Sequence, residues 1–290
     1  MGLIDRFRSH DPQDEPRSLS DAGSIRRALW LEQFSVHYQP VVDVQSGKLV
    51  GMEAFVRWEH PNVGLISAQD FVPAAQRAGL MLPLDIDTLR AATAFRRHLN
   101  IGSEQMRVTL NLSVDELVHP DLIDTVQKIL DETGLPAELI DIELAETALT
   151  LDEERASEAI RRLHDLGVTI AIDDFASADQ HSELIRQLPI DQAKVDFSIL
   201  PPALTGAEAE DVLAIRRHGE RRRAGHAAIE RAIQQARTWG LDVTAKRIET
   251  IEHLTLLRQF GISRAQGYVL GRPVSESEFG EFASKLRKIA

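Results

Sequence analysis

Carboxylate and amide side chains stand at or near the ends of short apolar runs in this sequence. Asn111 ends one run, Glu143 ends a second, and Asp173 and Asp174 end a third. Several carboxylates gathered in one place would repel one another and raise one another's pKa. Mg²⁺ and Mn²⁺ resolve that conflict, because hard divalent ions prefer oxygen ligands. Since two such ions can hold both the attacking and the leaving oxygen of a phosphodiester, these residue types suit metal-assisted phosphodiester hydrolysis.

Each of these side chains also has an ordinary interpretation when it is taken singly. Asp173 or Asp174 could cap the segment that follows it. Glu143 and Glu146 could open a loop, and Lys194 could be the partner of a buried salt bridge. Taken together on successive run ends, they are better explained by one shared site. Lys194 and Lys246 occupy run ends of the same kind and belong to that site.

The order of the elements predicts how the run ends could meet. Apolar runs alternate with amphipathic helical segments, which favours a mostly parallel sheet with helices outside it. About eight strands make a closed barrel more natural than an open sheet, and in such a barrel the strand ends converge on one mouth. The turn Gln45-Ser46-Gly47 predicts a hairpin, so one early strand should be antiparallel. The predicted strands are 36–42, 49–58, 107–112, 140–144, 169–172, 193–195, 242–245 and 264–268. The predicted helices are 20–33 (capped by Ser20), 68–79, 84–98, 120–133, 152–166, 181–187, 224–238, 250–260 and 275–288.

Composition limits the classes of protein to be considered. The chain has 290 residues, of which 43% are hydrophobic, and no cysteine, which excludes disulfides, thiolate metal sites and a cysteine nucleophile. A net charge of -12 argues against charge-driven binding to nucleic acid. The sequence has no signal peptide pattern and no apolar run near the ~20 residues that a membrane helix needs. We therefore expect a cytoplasmic protein with a flexible tail over 1–18 and one barrel domain over 19–290.

Ordered motifs along nearly the whole chain, from about Leu19 to about Phe282, resemble the EAL domain, the phosphodiesterase fold that cleaves cyclic di-GMP. The resemblance implies an EAL-type, TIM-like (β/α)8 barrel with one antiparallel strand near the N-terminus. The segments that carry it are His37-Tyr38-Gln39-Pro40, Glu53-Ala54-Phe55-Val56-Arg57, Asn111-Leu112-Ser113, Glu143-Leu144-Ala145-Glu146, Asp173-Asp174-Phe175, Lys194-Val195-Asp196, 187–191 and Ala265-Gln266-Gly267-Tyr268.

The resemblance also implies roles for individual residues. In active EAL phosphodiesterases, which use Mg²⁺ or Mn²⁺, the matches to four residues bind metal: Glu53, Asn111, Glu143 and Asp173. The match to Asp174 serves a second ion, and the match to Lys194 positions the attacking water. The matches to Gln39 and Arg57 contact the dinucleotide, the match to Gln266 supports the pocket, and the match to Glu146 anchors a loop. The expected ligand-binding set is therefore Gln39, Glu53, Arg57, Asn111, Asp173, Lys246 and Gln266.

Three departures from the family pattern bear on activity. Lys246 stands where active members have glutamate, and Arg247 follows where glycine is usual. A protonated lysine cannot ligate a metal. At a distance of ~4 Å and an effective dielectric of ~20, its repulsion energy with each unit charge of a cation is ~4 kcal/mol. The loop at 176–180 lacks the family's glycines. The third departure is an insert at about 201–222, which leads into the basic run 216–223.

The basic run is either a solvated helix face or a partner-binding surface, and it lies beside the helix through which active members pair. A homodimer of the family type is therefore in doubt.

Three functions follow from this reading. The favoured one is a degenerate EAL-domain signalling protein, inactive or very weak as an enzyme, that binds cyclic di-GMP without a metal cofactor. Lys246 would then replace a metal or pair with a ligand phosphate. The first alternative is a protein-interaction module that no longer binds nucleotide, and a protein partner is expected in either case. The second alternative is a metal-dependent phosphodiesterase giving pGpG, with Glu249 substituting at the altered position.

Overall fold

In the computed structural model of the chain, the described residues are 21–99, 105–145, 149, 152–176, 182–201 and 212–287. Eight of the strands formed by these residues close into a barrel in the order β1-β9-β8-β7-β6-β5-β4-β2, with β1 pairing to β2. A further strand, β3, lies outside the ring and pairs with β2 alone. The strands are β1 Phe34–Asp43, β2 Leu49–His60, β3 Gly64–Ile66, β4 Arg107–Leu112, β5 Ile140–Ala145, β6 Thr169–Asp173, β7 Gln192–Asp196, β8 Asp242–Lys246 and β9 Arg264–Ala265.

Helices follow most of the strands, as the alternating sequence pattern predicts. Within the described residues they are α1 Ala22–Trp30, α2 Ala68–Arg77, α3 Met81–His98, α4 Val114–Leu117, α5 Leu122–Thr133, α6 Glu153–Asp165, α7 Ser182–Gln187, α8 Val212–Thr238, α9 Ile251–Phe260 and α10 Glu276–Arg287. Short 3₁₀ turns cover Ala137–Leu139 and Phe197–Ile199. None of the helices in these ranges is long and apolar enough to cross a membrane.

Strand direction fixes where the chemistry lies. β1 runs antiparallel to both of its barrel neighbours, β2 and β9. The successive pairs from β2–β4 to β8–β9 are parallel. The predicted barrel with one antiparallel strand near the N-terminus is therefore confirmed. Because seven strands point the same way, their carboxyl ends form one mouth.

Two hydrophobic clusters hold the molecule together. The larger fills and surrounds the barrel, and strand residues such as Val108, Ile142 and Ile170 are almost completely buried there. The smaller cluster joins α1, α2, β3 and the outer end of β2 to the start of α3, and we call this part of the molecule the side lobe. In it the rings of Trp58 and Phe71 pack edge to face at 6.0 Å.

Some predicted boundaries are wrong, each for a local reason. Asp21 rather than Ser20 caps α1, because its side chain accepts a hydrogen bond of 2.9 Å from the Ser24 amide. The last strand ends at Ala265 instead of 268, because Gly267 begins a turn in which its carbonyl accepts from the amides of Leu270 and Gly271. The helix predicted over 224–238 begins at Val212 and contains the basic run 216–223.

Several predictions fall outside the described residues. These are the tail at 1–18, the loop anchor Glu146, residues 177–180 of the altered loop and residues 202–211 of the insert.

Candidate functional site

The barrel mouth forms a pocket of about 600 Å³, and most of the predicted site residues line it. The contacts of two lysines divide these residues into two groups. We call Lys194 with Glu53, Asn111 and Glu143 the lower tier. We call Lys246 with Asp173 and Asp174, whose side chains are more exposed, the upper tier. The predicted residues on the lining are Gln39, Glu53, Arg57, Asn111, Glu143, Asp173, Lys194, Lys246 and Gln266.

The lower tier is a buried lysine between two glutamates. Lys194 Nζ lies 2.7 Å from Glu53 Oε2 and 2.6 Å from Glu143 Oε2, and all three side chains are at most 8% exposed. Asn111 Nδ2 donates to the other Glu53 oxygen at 2.8 Å. Gln266 Nε2 donates to Glu53 Oε2 at 2.8 Å and also to Gln39 Oε1 at 2.8 Å. Donors from β4, β7 and the turn after β9 thus hold the Glu53 carboxylate from several sides.

The charges in the lower tier do not balance. Burial alone would lower the pKa of Lys194, but the carboxylates of Glu143 and Glu53 raise it above its ordinary value. Burial would raise the pKa of Glu53, yet Lys194 and the hydrogen bonds lower it. The pKa of Glu143 is raised well above its ordinary value, by burial first and by the Glu53 charge second. One ammonium therefore stabilises Glu53 as a carboxylate and leaves Glu143 favouring its neutral form.

The upper tier repeats this arrangement at the mouth. Lys246 Nζ lies 2.5 Å from Asp173 Oδ1 and 2.8 Å from Asp174 Oδ1. Burial opposes the charge on Lys246, but the two aspartates raise its pKa above the ordinary value. Arg247 pairs with Asp196 at 3.1 Å. Asp174 and Arg247 each follow the last residue of a strand, and both have a left-handed backbone, with φ of 51° and 56°. This conformation is costly for residues other than glycine and is typical of functional sites.

The turn after β9 holds Gln266 in place through backbone contacts. The Gln266 amide donates to the Ala245 carbonyl at 2.9 Å, and the Ile248 amide donates to the Gln266 carbonyl at 3.0 Å. Gly267 lies so close to the segment that follows β8 that an added Cβ would fall 2.2 Å from the Ile248 backbone nitrogen. Only glycine fits there, which explains the Gln-Gly pair in structural terms.

A family model described as the EAL domain matches residues 22–273 of the chain. The chain belongs to the EAL domain family. Cyclic di-GMP phosphodiesterase NbdA of Pseudomonas aeruginosa is 32% identical over 264 residues, which are 91% of this chain and 32% of NbdA. An uncharacterized protein of Mycobacterium tuberculosis is 33% identical over 261 residues, which are 89% of this chain and 81% of that protein. The chain thus spans about a third of the length of NbdA.

The solved structure of the PaMucR phosphodiesterase in its c-di-GMP complex has the same EAL fold. The two structures superpose with a TM-score of 0.76 at 28% sequence identity. The superposition covers 88% of this chain and 97% of the PaMucR chain. The family resemblance and the barrel inferred from the sequence are therefore confirmed.

The ion pairs of the two tiers determine whether this pocket fits divalent ions. Active phosphodiesterases of the EAL family use Mg²⁺ or Mn²⁺. Glu143 Oε1 and Asp173 Oδ1 are buried oxygens without an aligned hydrogen bond, which is the donor type such an ion prefers. Each of them, however, lies within ion-pair distance of a lysine, 2.6 Å from Lys194 and 2.5 Å from Lys246. Nowhere in the described ranges do three histidine, aspartate or glutamate side chains converge in a way that could hold a metal. The residues present do not fit a two-ion centre.

Two acidic residues of this EAL pocket were missed by the sequence reasoning. Asp85 on α3 and Glu116 on α4 both line it. Burial raises the pKa of Asp85 well above its ordinary value, and the Glu116 charge and hydrogen bond raise it further. Glu116 also accepts a hydrogen bond of 2.6 Å from the Ser113 amide in a capping box. The Ser113-x-x-Glu116 spacing was a readable signal for the cap, but nothing local indicated that Asp85 would meet it.

Aromatic and cationic groups stand at the outer edge of the pocket. Tyr268 is 54% exposed, and the guanidinium of Arg272 lies 4.6 Å from its ring centroid. Arg57 is half-buried on the lining, donates to its neighbour's carbonyl at Val56 and lies 5.5 Å from the Phe55 ring. Such groups can stack on a base or pair with a phosphate.

Proposed function

We propose that this EAL domain is a cyclic di-GMP receptor that holds the nucleotide without divalent ions and hydrolyses it very slowly or not at all. The observation that carries the proposal is the position of the Lys246 ammonium, 2.5 Å and 2.8 Å from the two aspartates of the upper tier. Lys246 there acts as an internal cation, fixed to the protein, in place of a dissociable one.

The internal cation opposes a metal by charge and by occupancy. Lys246 stays protonated because Asp173 and Asp174 raise its pKa. A dication brought within ~4 Å of it would meet ~4 kcal/mol of repulsion per charge at an effective dielectric of ~20. Hydrolysis assisted by two ions needs one ion on the attacking and one on the leaving oxygen. With the upper tier engaged by Lys246, that arrangement is disfavoured and the reaction is slowed.

The charge of the pocket lining suits an anionic ligand. Its cations are Arg57, Lys194, Lys246 and Arg247, and its acids are Glu53, Asp85, Glu116, Glu143, Asp173 and Glu249. Burial and neighbouring carboxylates raise the pKa values of Glu143 and Asp85 well above the ordinary range. Arg57 donates its described hydrogen bond to a backbone carbonyl and not to a carboxylate, so it is the lining cation best placed to pair with a ligand phosphate. The relatives named as cyclic di-GMP phosphodiesterases support this choice of ligand.

The proposal is tested by isothermal titration of cyclic di-GMP into the full chain, once in EDTA and once in Mn²⁺, with chromatography of the product. We expect saturable binding whose affinity differs by less than about threefold between the two buffers, and no accumulation of pGpG. Metal-dependent appearance of pGpG would identify an active phosphodiesterase instead, with Glu249 on the lining as the candidate substitute acid. The absence of binding in both buffers would overturn the receptor function.

A protein-interaction function is the second candidate, and the exposed start of α8 favours it. Arg216, Arg217, Arg221 and Arg223 are all exposed there. Arg216 pairs with Glu220 of its own helix at 3.3 Å. A surface of this charge fits a partner with an acidic face. The titration separates the two functions, because an interaction module that has lost nucleotide binding gives no heat with cyclic di-GMP.

A further inference from the structure

Two carboxyl side chains meet on the wall of the EAL pocket, outside both tiers. Asp85 of α3 and Glu116 of α4 line the pocket, and their carboxyl groups are hydrogen-bonded to each other. An ionised carboxylate can only accept a hydrogen bond, so a bond between two carboxyl groups requires a proton on one of them. The receptor function as described so far does not use this pair.

Glu116 is the acceptor in the pair. Its side chain is 3% exposed, and its Oε2 accepts a hydrogen bond of 2.6 Å from the Ser113 amide. A hydrogen bond from a backbone amide favours the ionised form of a carboxyl group. The capping box of α4 therefore holds Glu116 in place as a carboxylate.

Asp85 is the member that carries the proton. Its Oδ2 is buried and receives no hydrogen bond within the described part of the chain, which is costly for an ionised oxygen and tolerable for a neutral acid. On its far side Asp85 borders a small cavity lined by apolar side chains such as Leu110, Leu122 and Ile142. Burial raises the pKa of Asp85 well above its ordinary value, and the charge and hydrogen bond of Glu116 raise it further.

The elements around Asp85 supply no cation that offsets the pair. Within the described ranges, α2, β1, β4 and α5 contribute only uncharged side chains to the two cavities that Asp85 borders. The charged side chains on the neighbouring strands are Glu53 and Arg57 of β2 and Glu143 of β5. No lysine or arginine among the described residues lowers the pKa of Asp85. Loss of the shared proton would therefore leave two uncompensated carboxylates side by side.

We propose that Asp85 and Glu116 share one proton and that binding of cyclic di-GMP in the EAL pocket requires it, an inference that rests on the proposed receptor function. With the proton, the pair carries one negative charge, whereas without it two carboxylates on the pocket wall repel the two phosphates of the ligand. Glu116 is thus a positioning residue, because it acts on the ligand by keeping the proton on Asp85. As the pH rises and the pair loses its proton, the affinity falls, by at most about tenfold per pH unit for a single proton.

The test is calorimetric titration of cyclic di-GMP into the full chain in EDTA, at intervals from about pH 5.5 to about pH 8.5, with the unsubstituted chain and Glu116→Gln. The amide of Glu116→Gln donates to Asp85 without a shared proton, and its oxygen can still accept from the Ser113 amide. We expect the affinity of the unsubstituted chain to fall by about tenfold or more over this range and that of Glu116→Gln to change by less than about twofold. Asp115→Asn is the matched control, because Asp115 is exposed on the same helix and does not line the pocket. It should keep the pH dependence of the unsubstituted chain.

A ligand-free measurement separates the shared proton from the receptor function. Because the pKa of Asp85 is raised in the folded protein, its contribution to stability falls as the pH rises through that raised value. Without the Glu116 carboxylate this fall is smaller, so the stability of Glu116→Gln relative to the unsubstituted chain should increase from about pH 5 to about pH 8 in urea denaturation. The difference for Asp115→Asn should stay flat.

Three outcomes would count against the proposal. A flat stability difference for Glu116→Gln would overturn the shared proton itself. Parallel affinity profiles for Glu116→Gln and the unsubstituted chain would show that nucleotide binding does not depend on that proton. An increasing stability difference in a protein that binds no cyclic di-GMP at any pH would overturn the receptor function, and the coupling with it, while the pair still holds its proton.

Discussion

At the scale of single residues, Lys246 decides whether the EAL pocket accepts divalent ions. Lys246→Glu removes the ammonium from Asp173 and Asp174 and adds a carboxylate. We expect the ion-free variant to lose about 1–3 kcal/mol of unfolding free energy, since like charges now meet in a partly buried place. Mn²⁺ should restore that stability, because an ion that binds only the folded state stabilises it. Thermal unfolding with and without Mn²⁺ measures both effects.

Lys246→Met is the matched control, because it removes the same charge and adds only a thioether, which is a poor ligand for Mn²⁺. Its gain in melting temperature on addition of Mn²⁺ should be clearly smaller than that of Lys246→Glu. If Mn²⁺ leaves Lys246→Glu as unstable as it was without the ion, Lys246 does not occupy a metal position and the internal-cation argument fails.

Glu143 gives the lower tier a predictable pH dependence. Its pKa is raised above the ordinary 4.5 by burial and by Glu53, so the folded protein binds this proton more tightly than the unfolded chain does. The contribution of Glu143 to stability therefore falls as the pH rises from the ordinary value through the raised folded value. Glu143→Gln replaces the carboxyl group with an amide, which is neutral at every pH in this range. We expect the variant's stability relative to the unsubstituted chain to increase between about pH 5 and about pH 8 in urea denaturation.

Glu154→Gln, on the exposed face of α6, is the control for this pH series. Its stability difference should stay flat over the same range. A flat or declining difference for Glu143→Gln would show that Glu143 has no tendency to hold its proton in the folded state.

Arg57 is the residue through which loss of nucleotide binding can be tested with little loss of structure. Arg57 lies on the pocket lining, and among the described residues its guanidinium donates a hydrogen bond to the carbonyl of the adjacent Val56. Arg57→Met keeps most of the aliphatic chain. We expect the affinity for cyclic di-GMP to fall by about tenfold or more, since charged hydrogen bonds contribute ~1.5–3 kcal/mol. Arg90→Met, outside the pocket, should bind as tightly as the unsubstituted chain, and equal affinities for the two variants would exclude a role for Arg57.

At the scale of elements, the turn after β9 packs closely against the segment after β8, and this backbone contact holds the pocket wall. Gly267→Ala would place a methyl group 2.2 Å from the Ile248 backbone nitrogen, and backbone cannot move aside as a side chain can. We expect a loss of about 2–3 kcal/mol in the free energy of unfolding. Gly280→Ala, in α10 where an added Cβ meets nothing within 4 Å, should be neutral or stabilising. Similar stabilities for the two variants would show that the close approach is not rigid.

The same elements show how far the sequence alone could predict the structure. Apolar runs located the strands of the barrel, and because parallel strand ends converge, Asn111, Glu143, Asp173 and Lys194 were expected together. Glu53 was expected beside them only from the family resemblance. The last strand was extended too far, since Gln266-Gly267-Tyr268 has no local mark of the backbone crossing that ends it. The pairing of Asp85 with Glu116 was missed because it joins α3 to α4 across the fold, and no periodicity within one element records such a contact. A cavity of about 720 Å³ between β1, α3 and the start of α10 was missed for the same reason, because these elements are far apart in the sequence.

At the scale of the whole molecule, the EAL pocket is built from both hydrophobic clusters. Its outer wall includes Val72, Gln76 and Met81 of the side lobe, while its floor is the barrel mouth. A ligand that fills the pocket contacts both parts, and its binding free energy adds to the stability of each. At a concentration of ~100 times Kd that contribution is ~2.7 kcal/mol, which corresponds to several degrees in melting temperature.

Hydrogen exchange in EDTA can test whether the two parts respond together. With cyclic di-GMP present, we expect slower amide exchange in α2 and the start of α3 as well as at the carboxyl ends of β6 and β8, because local opening becomes more costly wherever the ligand is held. The amino ends of the same strands, on the far side of the barrel, serve as the internal control and should change less. Protection confined to the barrel would mean that the side lobe takes no part in binding. Protection that appears only when Mn²⁺ replaces EDTA would mean that a dissociable ion, and not Lys246, supplies the positive charge that the nucleotide needs.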